Sequence, residues 1–392
     1  MRALVTFLIA AAACHAAGAQ RPQPWERPQP SKSAQSWQPT QAWEIGPFTR
    51  PAKGNPVIAP RPESRFDDPI LHVPVEWEAL HTFNPAAIVR NGKVYVLYRA
   101  EDNSGAMEIG GHTSRLGLAE SKDGIHFTRM AAPVFYPADD GQKAREWPGG
   151  VEDPRIVESP DGTYVLTCTQ WNRATYSVGI ATSRDLLHWT KFGPAFLTAA
   201  GGKYAHLNYK SAGIVTRVTK GRLIAARIDG LYWMYWGEGA IHLATSRDLI
   251  HWTPAEDTRG EPAELLRPRA GRFDSTFPET GPPPVETKAG IVMVYNGKNA
   301  AEDGDPKPDP ALGPHAYAAG EALFDASDPV VLRARTDAPV LKPELPYEKT
   351  GQYQAGATFA EGLVWFHKQW FLYYGCADSL VAVATAPGRR KP

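Results

Sequence analysis

Three stretches of the chain repeat one pattern: LAESKDGIHF at 118–127, IATSRDLLHW at 180–189 and LATSRDLIHW at 243–252. Their serines, Ser121, Ser183 and Ser246, recur about every 60 residues, the spacing of a repeat architecture. Each copy reads as a strand, a tight turn and a second strand. The Ser-Arg-Asp or Ser-Lys-Asp segment supplies the turn, and His-Trp or His-Phe restarts the strand. A unit of this size, with several short strands and no helical period, reads as one propeller blade. The expected fold is therefore all-β, a five-bladed β-propeller.

The five blades are expected at about 83–128, 151–190, 209–253, from about 273, and 353–386. Their alternating runs include Lys93–Arg99, Thr163–Thr169, Arg222–Arg227, Gly290–Asn296 and Gln369–Tyr374. A Gly/Pro/Asp-rich insertion at 300–315 decorates the fourth. Ahead of them, residues 1–19 read as a signal peptide: Arg2, an apolar run Leu4–Ala13, and the small residues Ala17-Gly18-Ala19. Residues 20–42 read as a Pro/Gln-rich disordered linker, leaving 43–392 for the propeller domain. The expected location is secreted or periplasmic. Lipoprotein attachment through Cys14 ranks second, because the preceding alanines lack the usual leucine.

Lysine plus arginine equals aspartate plus glutamate, 42 against 42, which disfavours a nucleic-acid or anionic-membrane surface. No segment after the signal is apolar enough to span a membrane. Cys168 and Cys376 sit on strands of non-neighbouring blades and are expected to be buried free thiols. The histidines are scattered without metal-ligand spacing, so no metal and no cofactor are expected.

In a propeller the inner-strand entries converge on one mouth, where polar groups distant in sequence share a site. The entries are FNPA at 83–86, GVEDPR at 150–155, NYKS at 208–211, FPETG at 277–281 and YQAG at 353–356. Together with YRAED at 98–102, GPPP at 281–284, GCAD at 375–378 and the Ser-Arg-Asp repeats, they resemble glycoside hydrolase family 130, in order, from about Trp43 to the C-terminus. That resemblance implies a five-bladed propeller acting on mannosides, as a phosphorylase or a β-mannosidase.

The resemblance assigns the general acid to Asp153, with the proton passing through a sugar hydroxyl. It assigns sugar contacts to Asn84, Arg99, Arg155 and Asp378, with Asp102, Lys210 and Asn296 beside them. An arginine next to Asp153 would lower its pKa, so burial or a neighbouring carboxylate has to oppose that effect. Phosphorylases hold phosphate with cationic side chains. Here Glu238, Glu279 and Asn296 stand where phosphorylases of the family tend to carry basic residues. Glu238 and Glu279 are therefore expected to activate water, without a choice between them. The expected activity is secreted, inverting hydrolysis of β-mannosidic, and by resemblance β-1,2, linkages in a mannose-containing oligosaccharide. The alternatives are phosphorolysis, for which Lys210 would serve the anion, and sugar binding without catalysis.

Overall fold

The computed structural model describes residues 42–303 and 306–388. The expected signal peptide, nearly all of the linker and Cys14 lie outside the described residues. No described helix is long and apolar enough to cross a membrane.

Nearly all regular structure is β, arranged in successive antiparallel meanders. The first is His81–Arg90, Lys93–Glu101, Ser114–Ser121 and Thr128–Arg129. The second is Gly150–Glu158, Tyr164–Trp171, Tyr176–Ser183 and Trp189–Pro194. The third is built on Ala212–Ile214, Leu231–Trp236, His242–Ser246 and Trp252–Pro254. In it the expected run at Arg222–Arg227 is strand at Arg222–Ala225 and Arg227–Ile228, the former in a hairpin with Thr216–Thr219. The fourth joins Phe277–Thr280 and Val285–Thr287 to Gly290–Lys298, Tyr317–Phe324 and Leu332–Arg335. The last is Thr358–Phe366, Gln369–Cys376 and Leu380–Pro387. Its outer edge is covered by the N-terminal segment, through bridges Thr49 to Thr385 and Ile58 to Val381.

The central strands are apolar on both faces because both faces are buried. Along Lys93–Glu101, Val94, Val96 and Tyr98 pack against Val364, Tyr373 and Val383 of the last meander. Leu97 points the other way, into a cluster with Ile156 and Leu166 of the second. Further clusters join the second meander to the third through Val165, Ile180 and Met234, and the third to the fourth through Tyr235, Leu243 and Met293. A last one joins the fourth to the final meander through Val294, Leu363 and Leu372. Each fully buried Leu, Val or Phe contributes about 1.5–3 kcal/mol.

The repeated turns are structural. Ser183 Oγ accepts from the amides of Asp185 and Leu186, and Asp185 Oδ1 accepts from those of Leu187 and His188. His188 Nδ1 lies 2.7 Å from Asp185 Oδ2, and the same bonds recur around Ser121 and Ser246. Burial would raise the Asp185 carboxyl, but the His188 and backbone hydrogen bonds hold it well below the usual range. The insertion after Lys298 is pinned by buried Asn299, whose amide donates to the carbonyls of Asp309, Leu312 and Gly313. Cys168 and Cys376 are buried free thiols.

Three first strands carry a bulge at equivalent places. Register shifts fall between Phe83 and Pro85, between Glu152 and Arg155, and between Ala360 and Gly362. Asn84, Asp153 and Glu361 are thus released from regular pairing. Asn84 and Asp153 take left-handed backbone at φ 44° and 48°, which re-aims their side chains. Gly375 lies under the first bulge, where a Cβ would run into the Asn84 amide.

Candidate active site

The Asp153 carboxylate is nearly enclosed. Its Oδ1 accepts from Asn84 Nδ2 at 2.9 Å and from Arg99 Nη1 at 3.2 Å. Arg99 is steadied by Phe83, its guanidinium 4.5 Å from the ring centre. Its Nη2 reaches Glu101 at 2.6 Å and Glu152 at 2.8 Å. One guanidinium therefore serves three carboxylates. Arg155 does not touch the Asp153 carboxylate. It donates to the Asp153 carbonyl at 2.9 Å and to the carbonyls of Thr280 and Gly281, and lies 3.0 Å from Glu361. It thereby clamps the Asp153 bulge to the segment that carries Glu279.

Glu238 and Glu279 face each other across an antiparallel backbone bridge. Lys210 Nζ stands 3.0 Å from Glu238 Oε2 and 3.7 Å from Glu279 Oε1. Ser211 Oγ donates to Glu279 Oε1 at 2.5 Å. Glu238 and Lys210 are partly open, at 30% and 27% side-chain exposure, while Glu279 is closed off at 1%. An open cavity of about 440 Å³ reaches this point, walled by Lys210, Glu238, Trp236, Tyr209, His242 and Phe277. Asp153 and Glu279 lie beyond that wall, but within the field of Lys210, whose charge acts on both.

Three buried carboxyls of the site, Glu279, Glu152 and Asp378, are pushed up to about 7. Burial pushes the Glu279 carboxyl up to about 7; Lys210 opposes the shift, Glu238 adds to it, and Ser211 and Arg155 oppose it. Burial likewise pushes Glu152 up to about 7, against Arg99 and with Asp153. Burial would raise Asp153 too, but Arg99, Lys210, Arg155 and the Asn84 hydrogen bond hold it below the usual range. Asp153 and Glu152 thus sit on one arginine with opposite shifts, Asp153 held ionised and Glu152 raised toward neutrality. Burial opposes the arginine as expected, but does not outweigh it. Asp378, also at left-handed backbone (φ 51°), is pushed up to about 7 by burial, against Arg99.

Two expected sugar ligands are otherwise engaged. Asp102 is buried and turned away from Arg99; its Oδ2 pairs with Arg115 at 2.7 Å, and its Oδ1 accepts from Ser104 and from the Thr113 amide. Asn296 is buried, and its amide exchanges two hydrogen bonds with the Ala360 backbone, at 3.0 and 2.8 Å. Both hold the frame of the site. In contrast, Asn84, Arg99, Arg155, Lys210 and Asp378 gather around Asp153.

The folded chain adds groups that sequence reading missed. Glu152 stood inside a quoted motif, unassigned. Glu361 had no motif signal. It is fully buried, neither oxygen makes a hydrogen bond, and burial drives its carboxyl well above the usual range, against Arg155 and with Asp153 and Glu279. His81, Glu101 and His112, distant enough in sequence to look scattered, converge beside Arg99.

Comparison with known proteins follows the same line. A family model described as beta-1,4-mannooligosaccharide phosphorylase (Glyco_hydro_130) matches residues 53–390. A 1,2-beta-oligomannan phosphorylase of Thermoanaerobacter sp. (strain X514) is 31% identical over 84% of this chain and 94% of its own length. A putative glycosidase structure from Bacteroides thetaiotaomicron VPI-5482 is 51% identical, with TM-score 0.87, over 90% of this chain and 99% of its own. A further structure is 49% identical with TM-score 0.87, over 90% of this chain and 97% of its own. It is described in the words "The GH130 family of mannoside phosphorylases contains glycoside hydrolases that target beta-1,2 mannosidic linkages in Candida mannan". The sequence, the shared fold and these likenesses agree: this chain belongs to glycoside hydrolase family 130, a family of enzymes acting on mannosides.

Proposed function

We propose that this chain is an inverting glycoside hydrolase that cleaves β-mannosidic linkages, β-1,2 linkages first among them, with water as acceptor. The observation that carries the reading is the pairing of Glu238 with Glu279 across a backbone bridge, with Lys210 as their cationic partner. Two carboxylates against one ammonium repel a phosphate dianion, whereas a single water between them is offered a base. Glu279, near pH 7, takes the water proton, and Glu238 orients that water from the cavity wall. On the Asp153 side, Glu152, pushed up to about 7, supplies a proton that Asp153 passes toward the leaving oxygen. Asn84, Arg99 and Asp378 grip the sugar there, and Arg155 fixes the spacing of the two sides.

The clusters that join each meander to the next, and the last to the first, support a five-bladed propeller with its sugar site at the inner-strand entries. The composition of residues 1–19 supports export, as part of the same proposal. N-terminal sequencing of the mature protein tests that part.

Phosphorolysis is the second reading, favoured by Lys210 and by relatives named as phosphorylases. Manno-oligosaccharides of defined linkage, incubated with and without inorganic phosphate, separate the two. Mannose released from β-1,2-mannobiose at a rate independent of phosphate supports hydrolysis. Mannose 1-phosphate formed only with phosphate rejects it. Sugar binding without turnover under either condition leaves a carbohydrate-binding protein.

A further inference from the structure

His81 opens the first strand and Glu101 closes the second, and the two residues are direct partners in the antiparallel register. His112 arrives from the loop before Ser114. One ligand-type atom from each of the three lies within 4.8 Å of the other two. The imidazole rings are 6.1 Å apart, centre to centre.

Both Nδ1 atoms are already engaged. His112 Nδ1 lies 2.9 Å from the Ser104 carbonyl, so it donates, and the ring's lone pair is on Nε2. His81 Nδ1 lies 2.9 Å from Ser379 Oγ. For His112 this is the outer-shell pattern that fixes the tautomer and orientation of a metal-binding histidine, and the Ser379 hydroxyl holds the His81 ring in place beside it. Glu101 is fully buried; its Oε2 accepts only from Gln352 Nε2, at 3.1 Å, and keeps lone-pair capacity. The surroundings favour a cation, because Arg99 is shared among Glu101, Glu152 and Asp153.

We propose that His81, Glu101 and His112 form a binding site for a first-row divalent cation of the zinc class, at the edge of the candidate active site. Two imidazoles and one carboxylate match the ligand preference of zinc, and three protein ligands leave a coordination position for water or a hydroxyl group. Zinc–ligand bonds of about 2.1 Å draw tetrahedral donors to about 3.4 Å from one another. Side-chain movement of about an ångström therefore closes the site. The inference goes beyond the mannoside reading and stands whether water or phosphate is the acceptor.

The test is calorimetric titration of chelator-treated, full-length protein with Zn²⁺, and with Co²⁺ as a spectroscopic probe. The wild type is expected to bind one equivalent, with tetrahedral Co²⁺ absorption. His81→Ala and His112→Ala are each expected to weaken Zn²⁺ binding at least 100-fold. A variant lacking the three exposed turn histidines, His126, His188 and His251, is expected to bind as the wild type does. Should the ligand variants fail to fold, the wild type still decides: one equivalent of Zn²⁺ raises its melting temperature, and a chelator reverses the gain. Absence of stoichiometric binding and of any such gain overturns the proposal. So does Zn²⁺ binding that survives in both ligand variants.

Discussion

Replacing Lys210 with methionine removes the cation between Glu238 and Glu279 while keeping the length of its apolar stem. At 3.7 Å the attraction between Lys210 and ionised Glu279 is about 4.5 kcal/mol at an effective dielectric of about 20. Solvent reaches 27% of the lysine side chain, so screening lowers the effective term to about 1.5–3 kcal/mol. That equals about one to two pK units on Glu279. Burial already pushes Glu279 up, and Glu238 adds to it. After the substitution Arg155 and Ser211 still oppose the shift, and Tyr317 is the remaining titratable neighbour. A base must be ionised to accept the water proton. The acid limb of the kcat/KM–pH profile therefore moves to higher pH by about one to two units, and activity at pH 6 falls about 10- to 100-fold. The assay is the pH dependence of mannose release from β-1,2-mannobiose. An acid limb that stays in place, or moves down, refutes Glu279 as the titrating base. A selective rise in KM for phosphate would instead make Lys210 an anion ligand.

Asp153→Asn is expected to lower turnover by about 10²–10⁴-fold with an unchanged melting temperature, measured by product release and thermal unfolding. Asn296→Ala removes two buried bonds to Ala360 and is expected to cost about 2–3 kcal/mol in denaturant unfolding. Glu361 holds its proton in the fold at pH values where the unfolded chain, with a carboxyl near about 4.3, has lost it; wild-type stability therefore falls as pH rises above that value. Glu361→Gln keeps the neutral shape, so its stability relative to the wild type is expected to climb between pH 5 and pH 8, and a flat difference refutes a protonated Glu361.

The repeat made the fold legible. Ser121, Ser183 and Ser246 act through local hydrogen bonds, and local chemistry is what sequence displays. The strands of the first two meanders were readable for the same reason, because their two-sided burial writes long apolar runs. In the third meander the run at Arg222–Arg227 is strand as expected, but an alternating run does not reveal whether it pairs within its own sheet or forms a hairpin beside it. The N-terminal cover over the last sheet also escaped, because Thr49 and Ile58 meet Thr385 and Val381 only through distant closure.

Within the site, family motifs brought Asp153, Asn84, Arg99, Lys210, Glu238 and Glu279 into view. Motif spacing was silent on direction, and so Asp102 and Asn296 were grouped with the sugar ligands although their side chains face the frame. Glu361 and the His81–Glu101–His112 group depend on bulges and cross-strand register, which exist only once the strands have paired.

The most direct test of water activation opposite Asp153 is time-resolved NMR of β-1,2-mannobiose cleavage in phosphate buffer. The account predicts that α-mannose appears first and then mutarotates, with the phosphorus spectrum unchanged. First-formed β-mannose, or a growing mannose 1-phosphate signal, would contradict it.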